Sequence, residues 1–375
     1  MWWLALKLVL VAGSSVFCIL AALAARRYRR DAWPVPPLSA TPPPVSILKP
    51  LAGADDGLAD NLRSFFAQDY AGGDFEVLLA VRTPADPAAA IAEAVRAEFP
   101  HIASRVLFVG EPPYANAKVW SLEHLTTAAR FDLLAMADSD IRVTPAFLRS
   151  VAAEFERHPH LAVTTCPYRA VPGAGSAWSA LEAMMMNTEF LAGILTARML
   201  EGMRFAVGPT IVARRSAIAA IGGWPALKDY LAEDFVLGQL AAARGLGVGL
   251  SGYVIEHRIG AQPFIANARH RLRWCRSTRR SRPAGYAGQF FTYALPWMLV
   301  ALPWSLAALP VWIWSKLETA AWMLRDPLCR RYWYALPAAE LASFVFWLGG
   351  FFGNTIAWRG RRYYLHPDGR FERIA

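Results

Sequence analysis

Residues 131–143 read FDLLAMADSDIRV, an apolar run that ends in Asp138-Ser139-Asp140. A short apolar segment bounded by charged residues is the pattern of a central strand in a parallel sheet. In open α/β sheets, ligands bind beyond the carboxyl ends of the strands. Two carboxylates one residue apart at that place suit a divalent cation that also carries phosphate oxygens. The same residues equally make a solvated turn with an Asp cap for the next helix, and a lone Asp-x-Asp does not separate the two.

On either side of this stretch strands and helices alternate. Strand-like runs fall at Val45–Leu51, Phe75–Val81, Arg105–Val109, Leu133–Ala137 and Leu161–Thr165. Helical patterns lie near 57–68, 87–99, 117–129 and 145–157. Such alternation predicts βαβ units and a mostly parallel sheet with right-handed crossovers. After residue 170 the alternation stops. A Met-rich helix is expected over 176–199, with Met184, Met185 and Met186 as core filler or as the lining of an apolar acceptor groove. A strand-like Thr210–Ala213, a Gly222-Gly223 turn and a helix from near Leu231 follow.

The flanks are apolar. Residues 2–25 hold one charge, Lys7, and are long enough to span a bilayer. Arg26-Arg27-Tyr28-Arg29-Arg30 comes next, which places that flank in the cytoplasm. A cleaved signal peptide is the alternative at Ala22-Leu23-Ala24, but the basic leading region is missing. Residues 31–44 form a proline-rich linker. Residues 290–315 are an uncharged apolar run with Pro296, Pro303 and Pro310 seven residues apart. A second run, 333–358, holds only Glu340 as a charge. The expected organisation is an N-terminal membrane helix with basic flank (1–30), the linker (31–44), a cytoplasmic α/β domain (45–285), and a membrane region of two spans with a basic tail (286–375). The loop 316–332 carries four basic residues, which sits badly with export.

Composition agrees. The chain has 375 residues, 55% of them hydrophobic, 15 Trp and a net charge of +10, with mean hydropathy +0.26. Trp favours membrane interfaces, and a basic balance favours anionic lipid or nucleic acid. The four cysteines are widely spaced, so neither a disulfide framework nor a zinc site is indicated. The arginine-rich segment 269–282, RHRLRWCRSTRRSR, reads as a solvated helix face or as lipid-headgroup contact. No nucleic-acid motif accompanies it.

Between the membrane segments stand, in order, KPLAGADDGLADNLRSFFAQDY (49–70), Asp86-Pro87, Asn116-Ala117-Lys118, ADSDIRV (137–143), AEDF (232–235) and the Arg273-Trp274 pair. This ordered set resembles the membrane glycosyltransferases of the family-2 type, most closely the ceramide glucosyltransferase branch, family 21. Bacterial hopanoid-associated glycosyltransferases are near relatives. The resemblance runs from about residue 45 to 285. It departs at His270, where the branch pattern has Gln or Arg, and in a short tail, RGRRYYLHPDGRFERIA.

The resemblance implies a GT-A-like nucleotide-sugar-binding domain on the cytoplasmic face of a bacterial inner membrane. It implies an inverting transfer from a UDP-sugar to a membrane lipid hydroxyl, first of all glucose to ceramide. The alternative is N-acetylglucosamine to a hopanoid polyol. Asp138 and Asp140 would contact a divalent cation, Mg2+ or Mn2+, and Asp138 also the nucleotide. Asp86 would sit beside uracil or ribose; on its residues alone it is equally a helix N-cap before Pro87. Asp234 would be the general base for the acceptor hydroxyl, a role that contributes roughly 10²–10⁴-fold, though an acid at a helix start is also stabilised by the dipole. Lys118 would contact the diphosphate or a lipid headgroup, and is equally read as a surface lysine at a helix start. His270 would hydrogen-bond a phosphate. Arg273 and Trp274 would close over the donor, or anchor their helix to lipid, or both. A non-catalytic scaffold holding anionic lipid through its arginines is the competing reading from another class.

Overall fold

A computed structural model describes residues 2–32, 39 and 41–374. Residues 33–38 and 40 of the proline-rich linker lie outside the described residues. In chain order the elements are α1 (Trp2–Ala32), β1 (Val45–Pro50), α2 (Leu58–Phe66), β2 (Phe75–Val81), α3 (Pro87–Glu98), β3 (Ala103–Phe108), α4 (Ala117–Ala128), β4 (Leu133–Ala137), β5 (Ile141–Arg142), α5 (Phe147–Arg157), β6 (Leu161–Thr165), β7 (Tyr168–Pro172), α6 (Ala177–Met185), α7 (Leu191–Glu201), β8 (Thr210–Arg214), α8 (Arg215–Ala220), α9 (Glu233–Ala243), β9 (Gly247–Leu250), β10 (Ile255–Gly260) and α10 (Phe264–Ser281). Short helices, α15 (Leu336–Gly350) and three terminal strands follow. The chain divides into a sheet unit (Ala32–Tyr168, Met203–Gly260, Gly369–Ala375) and a helical unit (Met1–Asp31, Arg169–Gly202, Ala261–Asp368).

The sheet unit is built on seven strands in the order β3-β2-β1-β4-β8-β6-β9. The chain runs outward from β1 through β2 to β3 and then returns to the other side of β1 as β4. Strands β3, β2, β1 and β4 are parallel, with Val45 opposite both Phe75 and Leu133. Covered on both faces, β4 is buried at every residue, which is why its sequence is a continuous apolar run. Asp86 caps α3 through Ala88 N at 2.9 Å with Pro87 at the first helical position, and Asn116 caps α4 through the N–H groups of Lys118 and Val119.

The sheet is therefore mostly parallel, as expected. The departure is β8, which enters antiparallel between β4 and β6. Its alternation breaks because the whole segment 166–209 intervenes before it pairs. The place where the strand order reverses, between β1 and β4, is where an open sheet leaves a crevice at its carboxyl edge.

In the helical unit, α1 is 31 residues long and apolar enough to cross a membrane, by length and composition. The Met-rich segment is not one helix: a π-helical turn, Met186–Phe190, separates α6 from α7. Met184 and Met185 are buried in an apolar cluster with Val11, Cys18, Leu295 and Trp312, so their role here is packing. The apolar run at 290–315 is also segmented, into α-helix Ala294–Val300, a 3-10 turn Trp304–Ala308 and α-helix Leu309–Lys316. Proline lacks the N–H that an uninterrupted helix needs, and Pro303 and Pro310 fall at these joints.

Candidate functional site

The crevice of the sheet unit is lined by Pro50, Lys118, Asp138, Gly208, Glu233 and Asp234 together with apolar residues of β4 and α9. Four segments far apart in sequence supply them. Asp138 ends β4, and its N–H donates to the Pro209 carbonyl at 3.0 Å. Beneath it Lys49, fully buried at the end of β1, donates from Nζ to the Asp138 carbonyl. Burial lowers the Lys49 ammonium to about 7, against the pull of Asp138 and Asp140. The Lys49 ammonium also lies 4.0 Å from the centroid of the Phe65 ring. Ser139 Oγ donates to Asp55 Oδ2 at 2.6 Å, and its carbonyl accepts Asn61 Nδ2 at 3.1 Å. The turn is thus clamped on three sides.

Lys118 is the electrostatic centre. Its Nζ lies 2.6 Å from Asp138 Oδ1 and 3.0 Å from Glu233 Oε1. Burial works against its charge, but Asp138 and Glu233 outweigh this and hold the ammonium above its usual range. Burial raises Asp138, with Lys118 opposing and Asp140 adding to the shift. Asn116 joins the same group: Nδ2 donates to the Tyr230 carbonyl at 2.8 Å and to Glu233 Oε2 at 3.3 Å.

Asp234 occupies the first turn of α9 beside Glu233. Burial lifts its carboxyl to about 7, Glu233 adds to the rise, and Lys118 opposes it. Its carboxylate lies directly over Gly208, where an added Cβ would stand 2.6 Å from Asp234 Oδ2. A carboxyl that titrates near neutral pH in a crevice is suited to accept a proton.

Asp140 points to a different neighbour. Burial pushes its carboxyl up, but His257, whose Nε2 is 3.0 Å from Oδ2, and then Lys49 outweigh that, leaving it well below the usual carboxylate range. The other oxygen, Oδ1, is buried with no hydrogen-bond donor among the described residues. Leaving such an oxygen unsatisfied is costly, and a hard cation satisfies it. No cluster of three His, Cys, Asp or Glu side chains forms a metal cage among the described residues. The arrangement fits a cation held by one or two carboxylates whose remaining ligands are phosphate oxygens and water.

Asp86 Oδ1 accepts from Gly53 N at 2.9 Å as well as from Ala88 N. The capping reading therefore holds, and the same carboxylate ties down the loop after β1. Asp86, Lys118, Asp138, Asp140 and Asp234 all belong to the sheet unit. His270, Arg273 and Trp274 lie on α10 in the helical unit. His270 Nδ1 donates to Glu182 Oε1 at 3.2 Å, and its ring packs 5.1 Å from that of Trp274. The Arg273 guanidinium lies 5.9 Å over Trp358. Farther along α10, Arg276 and Arg279 donate to the carbonyls of Phe351, Phe352, Gly353 and Thr355 just past the end of α15. Those arginines satisfy carbonyls at a helix C-terminus rather than forming only a solvated face.

The sequence reading missed Lys49, Asn116, Glu233, Gly208 and His257 as parts of this site. A lysine at the end of an otherwise apolar strand and a second acid beside Asp234 were visible signals. His257 had none, because it reaches Asp140 from 117 residues away.

Replacing Lys118 by Met leaves Asp138 facing Glu233 without a cation. The expected result is a loss of about 3 kcal/mol, the low end of the range for removing one partner of a buried pair. The sign of its pH dependence follows from Asp138, whose raised carboxyl rises further without Lys118. The folded variant then binds more protons than the unfolded chain, so its stability falls as pH rises past the ordinary carboxylate value. Melting curves at pH 5 and pH 8 should show a smaller deficit at pH 5; an equal deficit would dismiss the account.

The model of the family described as "Glycosyl transferase family 21" matches residues 7–371. "Ceramide glucosyltransferase 1" of Caenorhabditis elegans is 30% identical over 212 residues, which are 56% of this chain and 44% of that protein. "Ceramide glucosyltransferase" of Komagataella phaffii is 34% identical over 130 residues, 33% of this chain and 25% of that protein. The chain spans less than half the length of these curated relatives. Among solved structures, a mannosyltransferase from Pyrobaculum calidifontis in complex with GDP-Man and Mn2+ has a TM-score of 0.53 at 17% identity, covering 92% of this chain and 99% of that one. This likeness is one of fold: the α/β architecture is GT-A-like.

Proposed function

The chain belongs to glycosyl transferase family 21, and from that premise we propose that it transfers glucose from UDP-glucose to a hydroxyl of ceramide with inversion, giving a β-glucosyl lipid. The observation that carries this reading is the meeting of Asp138, Lys118, Glu233 and Asp234 in one crevice at the carboxyl edge of the sheet. Similarity to ceramide glucosyltransferases along part of the chain supports the choice of acceptor.

In this reaction the acceptor alcohol must lose its proton as the new bond forms. Asp234, titrating near neutrality, takes that proton. Attack from the face opposite the departing UDP converts an α-linked donor to a β-glycoside, by the logic that governs inverting hydrolases. Lys118 keeps its charge throughout and serves the diphosphate. Asp86, able only to accept as a carboxylate, serves a base N–H or ribose hydroxyl with the oxygen not spent on α3. A divalent cation, Mg2+ or Mn2+, held by Asp138 and Asp140, would supply neutralising charge to the leaving diphosphate. By the resemblance alone, His270, Arg273 and Trp274 are assigned to the donor, with Arg273 suited to phosphate and Trp274 to a sugar face. The helix α1 anchors the chain in the membrane, with the basic residues 26–30 on its cytoplasmic flank.

Membranes bearing the protein are to be incubated with labelled UDP-glucose or UDP-N-acetylglucosamine in the presence of ceramide or a hopanoid polyol, and the lipid extract examined by mass spectrometry. The expected product is glucosylceramide, formed from UDP-glucose alone. A labelled hopanoid from UDP-N-acetylglucosamine would replace the acceptor and donor, and no labelled lipid from either donor would end the reading.

A further inference from the structure

Helix α9 carries Glu233 and Asp234 in its first turn, yet its N-cap is Ala232, which offers no side-chain hydrogen bond. An uncapped start lacks the local bond that usually fixes where a helix begins. The helix dipole favours the two acids of this turn, but it does not fix where the turn sits. Something other than the local sequence must hold it.

Tethers from two other parts of the sheet unit do so. On one side Asn116 Nδ2 donates to the Tyr230 carbonyl at 2.8 Å. On the other, the chain re-enters the unit at Gly369 after its long excursion through the helical unit. Phe371 N donates to the Asp229 carbonyl at 2.8 Å, and Leu231 N donates to the Gly369 carbonyl at 3.4 Å. Tyr230 and Arg370 form an antiparallel bridge between these bonds. The Arg370 guanidinium lies 5.6 Å over the Tyr230 ring, and the Phe371 side chain is buried, 3% exposed. A backbone ladder anchored by a buried aromatic is therefore laid along residues 229–231, immediately ahead of the acids.

We propose that Gly369–Arg373 is a positioning strap that sets the place of Asp234 by holding the segment from which α9 starts. The strap touches no reacting atom; it acts through the backbone of Asp229–Leu231. This inference rests on the reading of Asp234 as the proton acceptor. The strap's contribution falls first on the chemical step, because Asp234 follows the held segment directly, whereas Lys118 meets it only through Asn116 and Glu233. Loss of the strap thus lowers kcat more than it weakens nucleotide binding.

The test uses the full chain in membranes or detergent and compares Phe371→Ala, which removes the anchor, with Phe371→Leu, which keeps an apolar one. Hydrogen exchange over residues 229–235, the Kd for UDP, and kcat and KM for both substrates are measured. For Phe371→Ala the expected result is faster exchange over 229–235 and a kcat lower by about tenfold, the scale of a sub-ångström misplacement. UDP affinity should stay within about twofold, and Phe371→Leu should restore most of kcat. Faster exchange with an unchanged kcat would make the strap merely structural, and unchanged exchange would show that it holds nothing; either result overturns the proposal. Should Phe371→Ala fail to fold, Arg370→Ala, which removes the contact with the Tyr230 ring and leaves the backbone ladder, takes its place with the same readings at smaller amplitude. Asp234→Asn, run in parallel, separates the two hypotheses. Full transfer by that variant removes the base assignment, while a kcat loss in the Phe371 variant would then have to act elsewhere.

Discussion

Asp234→Asn is expected to lower kcat by roughly 10²–10⁴-fold, the usual contribution of a positioned base, and to leave UDP affinity nearly intact. Asn keeps the shape and loses the ability to take a proton. The pH dependence supplies a second signature. The Asp234 carboxyl stands at about 7, raised chiefly by burial and further by Glu233. Below that value it is protonated and cannot accept, so the wild-type rate should climb as pH passes through about 7 and then level off. Removing the neighbouring charge with Glu233→Gln lowers the Asp234 value, and the climb should move to lower pH. Lys118→Met removes an opposing cation and should move it to higher pH. Steady-state kinetics from pH 5.5 to 8.5, about three units around the midpoint, check all three. A profile of Glu233→Gln that moves to higher pH would break the electrostatic account even if Asp234 proved essential.

The sheet was legible because burial on both faces leaves a plain mark. Strands β1, β2 and β4 read as largely apolar runs since β4 is buried throughout and β1 and β2 are buried at all but one end residue each. The cap of α3 was legible because Asp86 precedes a proline, whereas the capping of α4 by Asn116 emerged only from the structure. The antiparallel entry of β8 was not, because pairing direction is decided by what the intervening chain does and leaves no local pattern. The π-helical turn after α6 was hidden for a related reason: its residues have ordinary helix propensity, and tertiary packing overrides such preferences.

At the site the acids were legible and their supports were not. Asp138, Asp140 and Asp234 stood out as charges bordering apolar runs. Lys49 was in view within its motif, but its burial under the Asp138 turn depends on β1 lying beside β4. His257 meets Asp140 only because β10 pairs with β5. Both partners act on the charges around Asp140; of the cations beside the acids, the sequence reading singled out Lys118 but neither Lys49 nor His257 as a site residue. The strap at 369–373 shows the same limit: its role comes from a backbone bridge between Tyr230 and Arg370, a contact that side-chain types do not announce.

Gly208→Ala is expected to lower kcat on the order of 10²-fold, the scale seen when a reacting group is displaced by about an ångström. The argument is steric. Gly208 precedes Pro209, whose carbonyl holds the Asp138 N–H, so the backbone here is fixed by the Asp138 turn. A Cβ on residue 208 would stand 2.6 Å from Asp234 Oδ2 and 3.1 Å from its Cγ, closer than non-bonded atoms tolerate. The Asp side chain is short, and Gly238 pins α9 from behind: a Cβ there would meet the backbone of Phe205 and Ala206. The carboxylate therefore has to rotate off its place, because neither backbone can yield. Stability should change less than kcat, since the half-buried carboxylate is displaced within the crevice and the fold around it is kept, whereas a larger residue such as Val would also disturb β8. The decisive measurement is a double-mutant cycle. If Gly208 acts only by leaving room for Asp234, then Gly208→Ala added to Asp234→Asn should cost little beyond Asp234→Asn alone, as for residues that act as a unit. Additive losses would mean that Gly208 serves the donor or the Asp138 turn instead, and the placement of the base over this glycine would lose its catalytic meaning.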